Sequence, residues 1–242
     1  MNKFEDHVSV VTGASSGIGK AIALRLAALG AIVCMVGRKR ETLFAVTNRG
    51  GTSSDRFRCY QADLMLDADV HRLVRDIQEE FHYVDILVHS AGAVSMGRFE
   101  EASIADFDRQ FRVNVRAPYL ITQRFLPSLK ARKGQIVFVN SSIGLANARA
   151  NIGQYSATKH ALKAIADSLR DEVNSEGIRV LSIFPGRTAS PMQEKIHKVE
   201  GKEYNPKRLL QPDDIAAVVI SALSLPRTAE VTDISVRPFI KS

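Results

Sequence analysis

The amino-acid sequence predicts an α/β fold, a doubly wound parallel sheet within a single domain. Apolar, β-branched runs alternate with segments of helical spacing along residues 1–242, and these runs are continuous, as in strands buried on both faces. A glycine-rich loop follows the first run, at the place where such sheets bind ligands. The length lies within the roughly 200–250 residues of one α/β domain, and no linker, repeat or low-complexity segment divides the chain.

Seven strands and six helices follow from these patterns. The predicted strands are residues 8–12, 32–36, 56–60, 84–89, 135–140, 179–184 and 234–236. The predicted helices are residues 20–30, 39–48, 67–81, 104–130, 153–175 and 212–223. Gly30 is a typical helix stop, and Pro212 followed by Asp213 is a typical helix start. Strands that alternate with helices in this way imply right-handed βαβ units.

The loop after the first strand has the composition of a phosphate-binding turn. From Thr12 to Gly19 it reads Thr-Gly-Ala-Ser-Ser-Gly-Ile-Gly, and a helix follows immediately. One glycine permits the tight turn, one lets the backbone approach a pyrophosphate, and one lets helix and strand pack closely. The helix N-terminus then offers free N–H groups and a positive dipole end to an anion. The alternative interpretation is a purely structural glycine turn.

This octet resembles the cofactor motif of the short-chain dehydrogenases/reductases, and the resemblance extends from Val8 to about Val236. It implies a Rossmann fold and an oxidoreductase that moves a hydride between nicotinamide and a carbonyl or alcohol carbon of a small-molecule substrate, above all as a ketone or aldehyde reductase. The loop residues that it assigns to the cofactor are Gly13, Ser15, Ser16, Gly17, Ile18 and Gly19. The alternative function is a non-catalytic NADP(H)-binding protein that senses redox state or regulates a partner.

The end of the second predicted strand favours NADP(H) over NAD(H). An NAD site usually carries an acidic residue there, which holds the ribose 2′-hydroxyl. Gly37 stands in that place and is followed by the cations Arg38 and Lys39. A 2′-phosphate needs space and fork-like donors, which Arg38 supplies, and the resemblance implies the same preference. Many NADP-preferring relatives also have a basic residue where this chain has Ser16.

Further cofactor contacts are expected after the later strands, where the chain matches the family pattern. The residues concerned are Asp63, Leu64, Ala91, Gly92, Pro185, Gly186, Thr188 and Ser190, together with Tyr155 and Lys159 of the later helix. The resemblance implies that Asp63 accepts a hydrogen bond from the adenine amino group, although a cap for the next segment would look the same. His89 and Ser90 replace asparagines of the relatives, and we interpret His89 as a core residue.

A tyrosine and a lysine four residues apart form the predicted catalytic pair. Tyr155 and Lys159 share one helical face. A neighbouring ammonium, together with the positive charge of the oxidised nicotinamide, should lower the phenol pKa from about 10, which would suit proton exchange with a substrate oxygen. Ser142, just past the fifth strand, can hold that oxygen, and Asn114 favours a kink or a bound water inside its helix. The resemblance implies that these four residues match the family's catalytic set.

The segment 187–210 is predicted to be a mobile lid that helps to select the substrate. Its lysines and arginines suit either an acidic substrate or a solvated surface. Other residues expected at the substrate are Val94, Gly144, Leu145, Arg149, Gln154 and Arg187. The C-terminal segment lacks the Gly-Gly ending that is frequent among ketoacyl-carrier reductases, which argues against that branch of the family.

Composition and charge argue against several other classes of protein. The net charge is +7, but the basic residues are spread along the chain without a basic tail or interleaved aromatics, so we expect no nucleic-acid partner. No apolar run reaches the ~18 residues of a membrane span, and the N-terminus lacks a secretory signal. We therefore expect a cytoplasmic protein. Cys34 and Cys59 lack metal-ligand spacing, so no metal is expected.

Surplus apolar residues on two long helices predict a homodimer or homotetramer. The sheet can bury only one face of each helix. The apolar residues are Phe107, Phe111, Val115, Tyr119, Leu120 and Phe125 on the first helix, and Ala161, Leu162, Ala164, Ile165 and Leu169 on the second. Exposed apolar surface on neighbouring helices marks an interface, and the resemblance implies that these helices pair about a two-fold axis.

Overall fold

Seven parallel strands form one sheet in the part of the chain that the computed structural model describes, residues 3–47, 54–146 and 149–240. The strands are β1 (Val8–Thr12), β2 (Ile32–Gly37), β3 (Phe57–Gln61), β4 (Ile86–His89), β5 (Gln135–Val139), β6 (Arg179–Pro185) and β7 (Asp233–Val236). Their order is β3-β2-β1-β4-β5-β6-β7, with every neighbouring pair parallel. The two halves of the sheet diverge between β1 and β4, and the predicted doubly wound fold is confirmed.

Helices cover both faces of the sheet. Within the described ranges they are α1 (Gly17–Ala28), α2 (Arg40–Thr47), α3 (Asp67–Phe81), α4 (Ile104–Phe111), α5 (Ala117–Arg132), α6 (Gly153–Val173), α7 (Pro191–Val199) and α8 (Pro212–Leu223). Buried side chains of α1, α2 and α8 share one apolar core, and those of α3, α5 and α6 share the other. The strands feed both cores: Val11 of β1 points to the first, and its neighbour Val10 to the second.

Two predicted helix boundaries are wrong at the glycine loop and at Asn114. Helix α1 begins at Gly17, three residues earlier than expected, because its glycines form the first turn, where close packing leaves no room for side chains. The predicted helix over residues 104–130 is divided by a π turn, Arg112–Arg116, which contains Asn114. A π turn adds a residue to the helical repeat and is often found at functional sites. Asn48, the predicted end of the second helix, lies outside the described residues.

Helix α7 lies inside the predicted lid and was not anticipated. Its start carries ordinary helix signals: Ser190 is the N-cap and accepts a hydrogen bond from the Gln193 N–H at 3.2 Å, and Pro191 occupies the first helical position. The lysines and prolines of this segment made these helix signals hard to recognise in the sequence. The predicted lid is therefore a short helix with loops on either side.

Candidate active site

The carboxyl ends of β1 to β6 lie along one edge of the sheet, and the predicted site residues follow them. The glycine loop follows β1, Ala91 and Gly92 follow β4, and Gly186 follows β6. In doubly wound sheets the ligand crevice lies where the strand order diverges, which in this chain is between β1 and β4. The structure thus brings the predicted cofactor segments to one edge of the sheet.

The glycines of the loop are required by close contacts and by backbone angles. A Cβ built on Gly13 would lie 2.8 Å from the Ala91 Cα, and one on Gly19 would lie 2.5 Å from the Gly13 carbonyl oxygen. Gly13 and Gly17 have φ of +69° and +54°, a region that glycine adopts without strain. Side chains at these positions would force the loop off the β4 segment.

The N-terminus of α1 is open to an anion. Ser16 is the N-cap residue, its side chain makes no capping hydrogen bond, and the first turn contains no acidic residue. Ser15 precedes it in the loop, and Ile18 is partly buried against the core. The backbone N–H groups of this turn and the helix dipole favour a negatively charged group.

Thr12 joins the glycine loop to the segment after β4. Its Oγ1 accepts hydrogen bonds from the N–H groups of Ser90 at 3.1 Å and Ala91 at 3.2 Å. The sequence places Thr12 at the end of the first strand and at the start of the glycine-rich octet, without indicating these hydrogen bonds. A threonine immediately before a glycine loop was the available signal, because its hydroxyl is the nearest side-chain acceptor for a neighbouring strand end.

Among the predicted cofactor residues, those after β2 are exposed, whereas the acidic residue after β3 accepts a hydrogen bond within the protein. Arg38 and Lys39 are exposed, and neither side chain makes an ion pair within the described ranges. Asp63 Oδ1 accepts a hydrogen bond from the Met65 N–H at 3.0 Å, so it caps the turn that begins at Leu64. This is the capping role left open by the sequence, and it leaves the second carboxylate oxygen for another donor.

His89 is a core residue, as its sequence context suggested. It is 2% exposed, its Nε2 lies 2.8 Å from Thr122 Oγ1, and its ring stacks on Phe138 at 5.0 Å. Burial lowers the pKa of His89 to about 3, so the ring is neutral at physiological pH. This histidine fills space between β4 and β5 and carries no charge into the site.

Tyr155 and Lys159 lie side by side near the start of α6. The Lys159 Nζ is 5.7 Å from the centroid of the Tyr155 ring and donates a hydrogen bond to the Val139 carbonyl at 3.2 Å. Burial lowers the pKa of Lys159 to about 8 and raises the pKa of Tyr155 to about 12. Desolvation of the phenol therefore dominates in the protein alone, whereas the expected lowering of the Tyr155 pKa also depends on the positive charge of a bound oxidised nicotinamide.

The serine that hydrogen-bonds Tyr155 is Ser141, the neighbour of the predicted Ser142. This hydrogen bond lowers the pKa of Tyr155 and partly offsets burial. Ser141 is also the N-cap of a 3-10 turn, Ser142–Gly144, and its Oγ accepts from the Ile143 N–H at 3.3 Å. Ser142 starts that turn instead of capping it. The structure brings Tyr155, Lys159 and Ser141 together.

Asn114 is buried beneath the loop that follows β4. Its Oδ1 accepts from the Ala93 N–H at 2.7 Å, and its Nδ2 donates to the Ala93 carbonyl at 2.8 Å and to Thr158 Oγ1 at 3.0 Å. The side chain therefore joins the π turn, the loop and α6. It contributes position to the site, and its amide is fully engaged within the protein.

The segment after β6 folds over the glycine loop. Gly186 donates to the Val236 carbonyl at 2.7 Å and Thr188 pairs with Leu210. A Cβ on Gly17 would lie 3.4 Å from the Ser190 Cβ, and one on Gly92 would lie 3.5 Å from Cε of Met192. Pro185 ends β6, so the whole stretch from there to the start of α7 lies at the cofactor edge.

An ion pair holds the lid segment in this position. The Arg187 guanidinium donates to both oxygens of the Glu200 carboxylate, at 2.7 and 2.8 Å. His197 is buried, its Nδ1 lies 2.8 Å from the Gln193 carbonyl, and its ring packs edge-on to Tyr204. Arg187 and Gln154 were expected at the substrate, but the side chains of both are committed to contacts within the protein.

The described residues offer neither a cluster suited to a metal ion nor a helix suited to a membrane. Across the described ranges, no cluster of three or more histidine, cysteine or acidic side chains has an arrangement that could hold a metal ion. None of the described helices is both long enough and apolar enough to cross a membrane.

Comparison with known proteins agrees with this geometry over the whole chain. A family model described as short chain dehydrogenase matches residues 7–201. An uncharacterized oxidoreductase of Staphylococcus epidermidis is 32% identical over 239 residues, which cover 98% of this chain and 100% of the relative.

Solved structures with the same fold are known in complex with nicotinamide cofactors. A metagenomic short-chain oxidoreductase in complex with NADP superposes with a TM-score of 0.85 at 29% identity, covering 98% of this chain and 100% of the other. The 3-ketoacyl-(acyl-carrier-protein) reductase of Brucella melitensis, complexed with NADH, gives 0.83 at 30% identity, covering 96% and 97%. This chain therefore belongs to the short-chain dehydrogenase family of oxidoreductases.

Proposed function

We propose that this oxidoreductase is an NADP(H)-dependent ketone or aldehyde reductase that acts on a small molecule. The observation that carries the proposal is geometric: Lys159 and Ser141 lie beside the phenol of Tyr155 at the edge of the sheet where the predicted cofactor segments meet. The pKa of Tyr155 is raised to about 12 by burial, with the Ser141 hydroxyl in contact. At neutral pH the phenol therefore keeps its proton. A carbonyl must gain a proton at oxygen when it is reduced, and a protonated acid at the sheet edge suits that direction.

The glycine loop and the N-terminus of α1 suit the diphosphate of a dinucleotide. Gly13 and Gly17 have φ of +69° and +54°, and the tight turn that they allow lets the backbone approach a bound diphosphate closely. Ser16 leaves the first-turn N–H groups uncapped, and no acidic side chain repels an anion there. The metagenomic relative with NADP has the same fold over nearly its full length.

The residues after β2 favour NADP(H). Gly37 ends the strand where an acidic residue would repel a 2′-phosphate, and Arg38 and Lys39 stand exposed beside it. The Brucella melitensis relative was solved with NADH, so membership of the family does not by itself choose the cofactor. The proposal therefore rests on these residues of this chain.

Four residues of this chain have separate roles around the substrate oxygen. We assign proton donation to Tyr155, and stabilisation of the developing oxyanion to Ser141 in place of the predicted Ser142. Lys159 supplies positive charge from the buried side, and Asn114 holds the neighbouring loop. When bound, the nicotinamide supplies the hydride to the carbonyl carbon. The other cofactor contacts in the proposal are Ser15, Ile18, Gly19, Asp63, Leu64, Ala91, Gly92, Pro185, Gly186, Thr188 and Ser190.

A panel of ketones and aldehydes, assayed by loss of NADPH absorbance, tests the proposed activity. We expect turnover of at least one carbonyl by the wild type. Tyr155→Phe should lose activity by roughly 100-fold or more because the proton donor is gone, while its NADPH affinity stays within about twofold because the phenol contributes little to cofactor binding. Retained turnover in this variant would refute the mechanism. NADPH binding with no turnover of any carbonyl would point to the non-catalytic alternative.

Cofactor choice is tested by titrating NADPH and NADH into the wild type and Arg38→Ala. The variant should bind NADPH less tightly by about 1.5–3 kcal/mol, because charge-assisted bonds to the phosphate are lost, with NADH affinity unchanged. Arg124→Ala, an exposed arginine on α5, is the matched control and should bind both cofactors like the wild type. Equal wild-type affinities for the two cofactors would contradict the assignment.

Assembly as a homodimer or homotetramer remains part of the proposal. A groove of about 690 Å³ runs along α4, the π turn, α5 and α6. Its lining includes the apolar residues Phe111, Val115 and Tyr119, and Tyr119 is 54% exposed. The same groove is also lined by Asp108 and by the ion pair of Arg116 with Asp67, so a second copy turned by a two-fold axis would meet charges of both signs.

A further inference from the structure

The buried amide of Asn114 has a counterpart one helical turn earlier. Gln110 of α4 is 0% exposed, and its Oε1 accepts a hydrogen bond from the Ser95 N–H at 3.0 Å. Its Nε2 donates to Gln154 Oε1 at 3.0 Å and to the Asp106 carbonyl at 3.2 Å. Every polar atom of this side chain is thus engaged, as a buried amide requires.

The two amides repeat the same arrangement. Each accepts from a loop residue after β4, Ala93 for Asn114 and Ser95 for Gln110, two residues apart along the loop. Each donates across to α6, where the acceptors Thr158 and Gln154 are four residues apart. Four residues is one turn of either helix, so the pairs are stacked along one contact between them. We call the Gln110–Gln154 contact the second amide bridge.

The second amide bridge stands next to the reacting groups. Gln154 precedes Tyr155 directly, and its Nε2 donates to the Ser103 carbonyl at 3.1 Å, just before α4. The loop held by Gln110 continues to Gly97, whose N–H donates to the Asn151 carbonyl at 2.9 Å ahead of α6. The Gln154 end of the bridge therefore holds the start of α6, and the Gln110 end holds the loop after β4 that contains Val94.

We propose that Gln110 and Gln154 are positioning residues for the reduction, which hold Tyr155 and the loop around Val94 in fixed positions relative to each other. Neither side chain touches the reacting atoms, and the inference rests on the proposed reductase function. Val94 lies between two residues whose N–H groups are held by the amides. Loss of the bridge frees the loop and the helix start to move apart, and a displacement near 1 Å is enough to slow a positioned reaction strongly.

The test compares Gln110→Met and Gln154→Met with a buried glutamine elsewhere. Gln135 is 5% exposed, and it bonds the Leu223 carbonyl and Arg179 at the opposite edge of the sheet. With a carbonyl that the wild type reduces, both bridge variants should lose about 10-fold in kcat, with KM changed less than kcat. Gln135→Met should keep kcat within about twofold, although all three variants lose stability.

Two further variants isolate the bridge. The double variant at positions 110 and 154 should lose less kcat than the product of the two single losses, because the shared contact is removed only once. Gln154→Glu keeps the acceptor for the Gln110 amide but loses the donor to the Ser103 carbonyl, so it should lose less kcat than Gln154→Met. Additive losses, or equal losses in Gln154→Glu and Gln154→Met, would overturn the proposal.

A second readout needs no substrate. Titration of Tyr155 by phenolate absorbance, taken as the difference from Tyr155→Phe, should begin at lower pH in Gln110→Met, because a loosened helix start admits water to the phenol. Gln135→Met should titrate like the wild type. If the wild type reduces no carbonyl, the proposed function fails, and this titration still decides the positioning role. Unchanged titration in Gln110→Met would overturn it.

Discussion

Replacing Lys159 with methionine should make the nucleotide-free protein more stable at neutral pH. The ammonium group is buried in a residue only 3% exposed, and its hydrogen bond goes to the neutral carbonyl of Val139. Within the described part of the chain no carboxylate pairs with it. Burial lowers the pKa of Lys159 from 10.5 to about 8, so folding at pH 7 places a charge where it is poorly solvated.

The size of the effect follows from the pKa. A fall from 10.5 to about 8 corresponds to about 3 kcal/mol of unfolding free energy. Methionine fills a similar volume without the charge but loses the bond to Val139, which costs about 1 kcal/mol. We therefore expect Lys159→Met to unfold with a free energy about 2 kcal/mol higher than the wild type at pH 7.

The sign of the pH dependence separates this effect from repacking. A lysine whose folded pKa is depressed contributes stability that is present above its unfolded pKa of 10.5 and lost as pH falls through about 8. As pH rises from about 8 to 10.5, the unfolding free energy of the wild type should therefore increase relative to that of the variant by about 1.4 kcal/mol per pH unit. The raised pKa of Tyr155 acts in the opposite direction only above pH 10, so measurements below that pH report the lysine.

Urea unfolding followed by circular dichroism at three pH values between 7 and about 9.5 measures the difference. Lys163→Met is the matched control, because this lysine lies one turn further along α6 and pairs with Asp167 at the surface. It should show no comparable pH dependence. A Lys159→Met variant that is less stable than the wild type by the same amount at every pH would refute the reasoning.

Three more predictions follow. Ser141→Ala should lower kcat by about 100-fold, through loss of a hydroxyl that stabilises the oxyanion, while Ser142→Ala keeps it within about threefold; a larger loss in the second variant would restore the sequence assignment. Glu200→Gln should weaken NADPH binding several-fold in a fluorescence titration, because Arg187 no longer holds α7 against the glycine loop; unchanged affinity would show that the ion pair does not control the lid. Light scattering should give a multiple of 26.6 kDa, and Phe111→Asp should lower that mass by charging an apolar contact; a monomeric wild type would contradict the interface.

The strands of the sheet could be predicted because burial on both faces produces a continuous local run of apolar residues. A strand buried on both faces must be apolar at every position, and β1 and β5 are buried at all their residues. The glycine loop was equally visible, since the steric demands at Gly13 and Gly19 leave only one residue type. What was missed depends on contacts between distant parts of the chain. Thr12 acts on residues 78 and 79 positions away, and no local pattern reports such a bond.

The sequence indicated that Asn114 disturbs its helix, but it did not reveal the contacts that produce the π turn. Asn114 was expected to disturb its helix, and it does lie in the π turn. The partners that draw its amide inward, Ala93 and Thr158, come from a loop and from another helix. Its neighbour Gln110 raised no suspicion, since glutamine is an ordinary helix former. Only burial in the folded structure separates a functional glutamine from a solvated one.

The choice between Ser141 and Ser142 depends on a glycine rather than on the distance to Tyr155. A Cβ on Gly144 would lie 2.8 Å from the Asn140 Oδ1 and 3.0 Å from the Lys159 carbonyl oxygen, so the turn packs directly on α6. That contact fixes the 3-10 turn, and the extended backbone before it directs Ser141 to the phenol. Counting back thirteen residues from the tyrosine selects Ser142, whereas the contact between the turn and α6 favours Ser141. The Ser141→Ala and Ser142→Ala variants decide between these two assignments.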